Sequence, residues 1–135
     1  MAKDAENKLV KEITEYIKTE KLTNRETLSF LDNLKMEVLN SLLIDKDGIF
    51  VIKRRGYLES FDDEKLLRNI AAASDDVKHP LTRGELNFIV KRVKEKIHED
   101  SRKIVNSNEI IEYTKNVLEN NDYDAVLVGY SGYNR

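Results

Sequence analysis

The sequence contains no cysteine. These 135 residues therefore cannot form disulfide bonds, thiolate nucleophiles or zinc sites with cysteine ligands, and they cannot support thiyl-radical chemistry. A chain without cysteine is compatible with a reducing cytoplasm, which is where we expect the protein to act.

Long apolar runs and an excess of either charge are also missing. No stretch approaches the roughly 18 apolar residues of a membrane span, and the first ten residues lack the apolar core of a signal peptide. The 23 basic and 25 acidic residues give a net charge of −2, so no overall field favours a membrane surface or a nucleic acid. We expect neither as a partner, and any anion-binding site must be local.

Several motifs of catalysis and metal binding are absent as well. Neither GxxxxGK[ST] nor GxGxxG occurs, which excludes a P-loop and a Rossmann fingerprint. His79 and His98 are too isolated to suggest a metal pair. The turn at residues 45–48 resembles part of a calcium loop, but its glycine then puts Leu43 and Arg54 where carboxylates are required. We predict no metal site and no catalytic residue.

The apolar periodicity of the first 44 residues predicts two amphipathic helices, at residues 4–20 and from about residue 24 to Leu43. Thr23 and Glu26 have the spacing of a capping box at the start of the second helix. Together the helices are predicted to form an antiparallel hairpin. The residues predicted to face inward are Leu9, Val10, Ile13, Tyr16, Ile17, Leu28, Leu31, Leu34, Val38, Leu39 and Leu42.

Two further helices are predicted after residue 80. A Thr82–Glu85 pair begins a helix that runs to about Glu99, and Asn106 with Glu109 begins the next. Their predicted buried residues are Leu86, Ile89, Val90, Val93, Ile97, Ile110, Ile111, Thr114, Val117 and Leu118. In the tail at 125–133, valines, tyrosines and two glycines give a local propensity for a strand.

Residues 49–73 combine an apolar strand, a basic turn and a helix start. The apolar run ends at Lys53-Arg54-Arg55 beside Gly56, and the chain returns through Tyr57-Leu58-Glu59. A helix then opens at Asp62, with Lys65 on its first turn. Cations gathered at a backbone turn next to a helix N-terminus suit a phosphate group. The alternative is an ordinary hairpin whose basic residues keep an edge strand soluble.

The order of these pieces resembles the ATP-cone domain. This is a small nucleotide-binding regulatory domain found at the ends of many ribonucleotide reductase subunits and in the transcriptional repressor of their genes. The resemblance covers residues 49–135; it rests mainly on VIKRRGYLESFDDEKLLRNI and more weakly on the helix opening at 105–110. The sequence departs from the family pattern at Arg55, where aspartate is usual, and at Gly129, where arginine is usual.

The resemblance implies a mainly α (α+β) fold, in which a small helical bundle is capped by a short β-hairpin or sheet with the nucleotide beneath the cap. We expect an ATP-cone at residues 47–135, preceded by an N-terminal helical hairpin of unknown role at residues 1–46. The resemblance gives seven candidate site residues their roles. Lys53, Arg54 and Lys65 would meet the phosphates, Glu59 and Asp62 would face the ribose or base, Val51 would pack on the adenine, and Ser107 would line the pocket.

The expected function is that of an allosteric sensor that binds ATP or dATP, with Mg²⁺, and does not turn it over. Nucleotide binding would control homo-oligomerisation or a partner such as a ribonucleotide reductase or its gene regulation. Two alternatives stay open. One is a nucleic-acid-binding module that uses the basic hairpin, and the other is a degenerate cone that acts only in protein interaction.

Overall fold

The computed structural model describes residues 2–133, and the chain divides into two compact units, Met1–Leu39 and Asn40–Arg135. The expected division of the chain into residues 1–46 and residues 47–135 stays a prediction. Asn134 and Arg135, the last residues of the expected cone, lie outside the described part. None of the described helices is both long enough and apolar enough to cross a membrane.

The N-terminal unit consists of α1 (Ala2–Thr19) and most of α2 (Asn24–Leu43). The predicted capping box is present, with the Glu26 amide donating to Thr23 Oγ1 at 3.2 Å and the Thr23 amide donating to Glu26 Oε1 at 3.0 Å. Hydrogen bonds to Thr23 lower the pKa of the Glu26 carboxyl. The rings of Tyr16 and Phe30 stack at 5.1 Å between centroids, which joins the two helices.

The prediction that both helices bury their apolar faces is wrong for this unit. No residue of α2 is buried, and Ile13, Ile17, Leu34 and Leu39 are only half-buried. The other predicted inward-facing residues are exposed: Leu9, Val10, Tyr16, Leu28, Leu31, Val38 and Leu42. The physical reason is that an amphipathic pattern requires an apolar partner, and two helices alone cannot cover both of their apolar faces.

The C-terminal unit is a four-helix bundle with a small sheet. Its helices are α3 (Asp63–Asp76), α4 (Arg83–Glu99), α5 (Ser107–Asn120) and α6 (Asp124–Tyr133). Each helix packs on the next, and α6 closes the ring against α3. The sheet holds β1 (Phe50–Ile52), β2 (Leu58–Ser60) and β3 (Ile104–Asn106) in the order β2-β1-β3, which confirms the predicted mainly α fold with a small β cap.

The predicted helix starts of this unit are confirmed, and so is its predicted core except at Ile110 and Ile111, which are only half-buried. The Thr82–Glu85 and Asn106–Glu109 capping boxes are both present. All five predicted apolar residues of α4 are buried, as are Thr114, Val117 and Leu118 of α5. This core is closed by Val126 and Tyr130 of α6.

The tail is a helix, against its local strand propensity. Tertiary packing decides this, because Val126 and Tyr130 lie on one side of α6 and are fully buried. Gly129 permits the close approach of α6 to α3: a Cβ atom there would lie 2.7 Å from the Ala73 carbonyl oxygen and 2.8 Å from Val77 Cγ1. An arginine at this position would not fit without moving the two helices apart.

Candidate functional site

The basic turn lies at the tip of a regular hairpin. β1 and β2 are antiparallel, with Val51 opposite Glu59 and Ile52 opposite Leu58. The Gly56 amide donates to the Lys53 carbonyl at 2.9 Å and closes a four-residue turn, and Gly56 adopts a φ of +85°, which favours glycine. Arg54 and Arg55 occupy the two central positions of this turn and are exposed. Because most residues tolerate these positions, Arg55 in place of aspartate is compatible with the turn.

Val51, Lys53 and Glu59 share one face of the sheet. Residues directly opposite one another on paired strands point to the same face, and so do residues two apart on one strand. Val51 is buried in the helical core. Lys53 and Glu59 therefore lie on the core side of the sheet, where Lys53 Nζ is 3.5 Å from Glu59 Oε2, with side-chain exposures of 21% and 46%.

The start of α5 lies at the same end of the sheet as the basic turn. β1 and β3 are parallel, with Ile52 opposite Asn106, so the chain leaves both strands at one end. Lys53 follows the first residue of this pair and Ser107 follows the second. The first amides of a helix lack intrahelical partners and carry partial positive charge. Lys53, Arg54 and the α5 N-terminus thus form an electropositive end of the sheet.

A polar network holds the start of α5 in place. Asn106 Oδ1 accepts from the Glu109 amide at 2.8 Å, and Glu109 Oε1 accepts from the Asn106 amide at 3.0 Å. The second oxygen of Glu109 accepts from the Arg102 guanidinium, a bond that raises the pKa of Arg102. The Tyr113 hydroxyl donates to Asp100, and the pKa of Tyr113 is raised by burial and by this bond.

Asp62 and Lys65 begin α3 at the other end of the sheet. The Phe61 amide donates to the Ile49 carbonyl at 2.8 Å, beside the first residue of β1. Asp62 is the N-cap, and its Oδ1 accepts from the Lys65 amide at 3.1 Å, so this carboxylate already has a structural partner. The Lys65 side chain is exposed and has no ion pair within residues 2–133. In that part of the chain, no hydrogen bond or ion pair joins Lys65 to Lys53 or Ser107.

Two basic residues of α4, Arg92 and Lys94, are paired with carboxylates. Arg92 pairs with Glu95 at 3.3 Å and with Glu99 at 2.9 Å, and Lys94 pairs with Asp63 at 3.2 Å. Lys94 Nζ also lies 5.9 Å from the centroid of the Phe61 ring. A pocket of about 380 Å³ lies between α3 and α4 and is lined by Lys91, Lys94 and His98 among others, but by none of the seven candidate residues.

Sequence reasoning missed the third strand and the residues that depend on it. Asn106 and Glu109 were recognised as a cap, but their position beside the basic turn follows from the parallel pairing of β3 with β1. Arg102 precedes this strand and gave no signal of its own. No cluster of three metal-ligating side chains occurs in the described part of the chain.

The family model of the ATP cone domain matches residues 49–135, which is more than half of the sequence. The chain belongs to the ATP-cone family. The match begins at β1 and includes the whole sheet and all four helices of the bundle. Membership of this family supports an adenine-nucleotide-binding regulatory role.

Curated relatives of this ATP-cone are transcriptional repressors. It is 30% identical over 94 residues to the transcriptional repressor NrdR of Anaplasma phagocytophilum, a match that covers 70% of this chain and 59% of the relative. The NrdR proteins of Pediococcus pentosaceus and Latilactobacillus sakei are 30% and 32% identical over 84 residues, 62% of this chain and 52% of each relative. The chain spans about half the length of these relatives.

Proposed function

We propose that this ATP-cone binds ATP or dATP beneath its sheet and acts as an allosteric sensor that does not hydrolyse the nucleotide. The observation that carries the proposal is the meeting of the Lys53–Arg54 turn with the α5 N-terminus at one end of the sheet. A triphosphate requires several positive charges at close range, and fixed amides with flexible cations supply them. Val51 offers an apolar surface for a base, and Mg²⁺ would enter with the phosphates.

Lys53 and Glu59 are proposed to exchange partners when the nucleotide binds. Without ligand they pair with each other at 3.5 Å. A phosphate group would attract Lys53 away from Glu59, because a more highly charged anion offers stronger hydrogen bonds. The released carboxylate could then accept from a ribose hydroxyl. Lys65 starts from the opposite end of the sheet and would meet the phosphates only where the nucleotide extends along the sheet towards α3. Ser107 would line the pocket, and Asp62 would contribute chiefly by capping α3.

Nucleotide binding would be coupled to assembly through the elements that the nucleotide contacts. A ligand that contacts the hairpin turn, α3 and α5 favours the arrangement in which they lie closest together, and it shifts any assembly that depends on this arrangement. We propose that the regulated target is a ribonucleotide reductase or the expression of its genes, by analogy with the repressor relatives. A cytoplasmic location belongs to the same proposal.

The nucleotide site is tested by calorimetric titration of ATP and dATP, with magnesium, into the whole chain and its variants. Lys53→Ala should weaken binding at least about tenfold, because a charge-assisted hydrogen bond contributes roughly 1.5–3 kcal/mol. Lys115→Ala is a matched control, since Lys115 is similarly half-buried but pairs with Glu112 within α5. Absence of heat and of a thermal shift with both nucleotides would refute the sensor.

The partner exchange has its own test, with inorganic tripolyphosphate as a probe that lacks the nucleoside. Glu59→Gln should weaken ATP binding through the ribose, yet leave tripolyphosphate binding equal or stronger because Lys53 is released. Parallel losses for both ligands would show that Glu59 merely positions Lys53.

A second candidate function is nucleic-acid binding by the tip of the hairpin. Arg54, Arg55 and Tyr57 are exposed, and the two arginines have no ion pair within the described residues. The relatives' name, transcriptional repressor, also favours this candidate. It predicts that Arg55→Ala weakens oligonucleotide binding and reduces its salt dependence without changing ATP affinity. A cone that binds neither ligand would act in protein interaction alone.

A further inference from the structure

The last turn of α2 is hydrogen-bonded to the segment that leads into β3. Residues 40–43 end α2 and belong to the C-terminal unit, as β3 does. Asn40 Oδ1 accepts from the Lys103 amide at 2.6 Å, although the two residues are 63 positions apart in the sequence. Both residues are half-buried, so this bond is stronger than it would be in open water. It links the end of a helix to the residue that precedes β3.

Lys103 lies just beyond the end of the parallel ladder between β1 and β3. The first pair of this ladder is Phe50 opposite Ile104, so Lys103 precedes it by one residue. The Lys103 carbonyl accepts from the Phe50 amide at 2.8 Å, whereas the Lys103 amide donates to a side chain, that of Asn40. Because an unpaired amide away from water is costly, Asn40 stabilises the chain at the point where the ladder stops.

The side chain of Lys103 holds the loop that follows α2. Lys103 Nζ donates to the Lys46 carbonyl at 2.8 Å, and the Lys46 amide donates to the Leu43 carbonyl at 3.0 Å. We call the bonds from Lys103 to Asn40 and to Lys46 the Lys103 clasp. The bond to Asn40 is the stronger part of the clasp, because it is shorter and half-buried while the bond to Lys46 is exposed.

Strand β3 connects the Lys103 clasp directly to the start of α5. The strand has three residues, Ile104–Asn106, or about 10 Å of chain, and α5 begins at Ser107. It lies at the edge of the sheet, beside β1. Parallel pairing is slightly less stable per residue than antiparallel pairing, and a three-residue pair is short. Bonds at the ends of β3 therefore have a large share in fixing where the strand lies.

Burial of β3 and the Lys103 clasp act in different ways on the strand. Ile104 and Val105 are 1% and 0% exposed, so the hydrophobic effect holds β3 in the core. This effect is non-directional and roughly proportional to buried area, whereas a hydrogen bond requires a narrow range of distances and angles. The clasp at the start of β3 and the Asn106–Glu109 cap at its end therefore fix the position of the strand along its own axis.

We propose that Asn40 is a positioning residue for the start of α5: through Lys103 and β3 it sets where the first amides of α5 lie beside the basic turn. Its effect on ligand binding rests on the nucleotide site proposed above. Asn40 precedes residues 49–135, the part of the chain that matches the family model. The end of α2 thus contributes to the site from outside the family pattern.

Amide hydrogen exchange of the whole chain, measured by NMR without nucleotide, tests the positioning. Asn40→Ala removes the acceptor without adding bulk and should speed exchange of the Lys103 amide about two- to tenfold, the usual worth of one hydrogen bond. The Glu109 amide, which donates to the cap of α5, should exchange faster as well. Asn33→Ala is the matched control, since Asn33 is an exposed asparagine of the same helix, and it should change neither rate.

Asn40→Asp separates positioning from a general effect on stability. It keeps an oxygen acceptor for the Lys103 amide and should restore both exchange rates. A carboxylate in the last turn of a helix is unfavourable, so a merely stabilising role of Asn40 would predict no such rescue. In calorimetric titration, Asn40→Ala should raise the dissociation constant of ATP about two- to tenfold, and Asn40→Asp should bring it back towards the wild-type value.

Three results would overturn the proposal: an unchanged Lys103 exchange rate in Asn40→Ala, faster exchange at Lys103 but not at Glu109, or an unchanged ATP affinity of Asn40→Ala when the wild type binds. A wild-type chain that binds neither ATP nor dATP would refute the nucleotide site, and amide exchange would then decide the role of Asn40 by itself. Circular dichroism checks the fold of each variant. If Asn40→Ala does not fold, the scalar coupling across the hydrogen bond from Lys103 to Asn40 in the wild type decides, and its absence would refute the clasp.

Discussion

Helices α4 and α2 differ in what they do with their apolar residues. α4 buries five of its six apolar residues and exposes only Phe88, whereas α2 has nine apolar residues and buries none. The difference lies in the neighbours, because α4 packs against both α3 and α5 within a closed ring of helices. An amphipathic pattern therefore establishes that a helix has an apolar face, while the surface that covers this face has to come from elsewhere in the fold or from another molecule.

The largest difference between the two regions is expected in the free energy of unfolding when one leucine in each region is replaced by alanine. Leu118→Ala removes a fully buried side chain and should cost about 2–5 kcal/mol of unfolding free energy through lost contacts and a residual cavity. Leu28→Ala, at an exposed site, should change it by less than about 0.5 kcal/mol. Urea unfolding of the two variants makes the comparison, and equal losses of unfolding free energy would contradict the exposure of Leu28.

The two glycines of α6 sharpen the comparison within a single helix. Gly129→Ala should destabilise the bundle by about 1–3 kcal/mol, because its Cβ would overlap the backbone of α3. Gly132→Ala meets no atom within 4 Å and should be neutral or stabilising by up to about 1 kcal/mol, through higher helix propensity. Thermal unfolding of both variants measures the difference. If Gly129→Ala were as stable as Gly132→Ala, the close approach of α6 to α3 would be wrong.

Asn106 in the C-terminal unit and Thr23 in the N-terminal unit allow the two regions to be compared through single capping hydrogen bonds. Asn106→Ala should cost about 1 kcal/mol or slightly more, since Asn106 is half-buried and its partner Glu109 also binds Arg102. Thr23→Ala, at an exposed cap, should cost less than about 1 kcal/mol. Calorimetry should also show weaker ATP binding only for Asn106→Ala. If both substitutions weakened ATP binding equally, the start of α5 would not belong to the nucleotide site.

The smallest effect at neutral pH is expected at Tyr130. Burial raises the pKa of its phenol, so the folded state favours the neutral form. This contribution to stability is fully present below the unfolded pKa, near 10, and is lost as pH rises through the higher folded pKa. Unfolding midpoints between pH 8 and 12 should fall less steeply at the alkaline end for Tyr130→Phe than for the wild type. An identical slope would assign the alkaline loss to other groups that titrate in this range.

Much of the ATP-cone could be predicted because its signals are local. The capping boxes at Thr82 and Asn106 depend on residues three apart, and the basic turn depends on a strand, a glycine and a second strand in immediate succession. The apolar stripe of α4 predicts its own burial correctly because the bundle supplies neighbours on both sides. The candidate site could be predicted only as a set of residues, since their convergence depends on pairings between distant segments.

The sequence by itself determined where α2 to α5 begin, the place and charge of the basic turn, and membership of the ATP-cone family. Only the tertiary structure decided that β3 pairs in parallel with β1 and brings Ser107 beside Lys53, that the tail is a helix, and that no residue of α2 is buried. The physical reason is the range of the forces involved. Caps and turns are satisfied within a few residues, whereas strand pairing, the contact at Gly129 and burial depend on segments far apart in the chain.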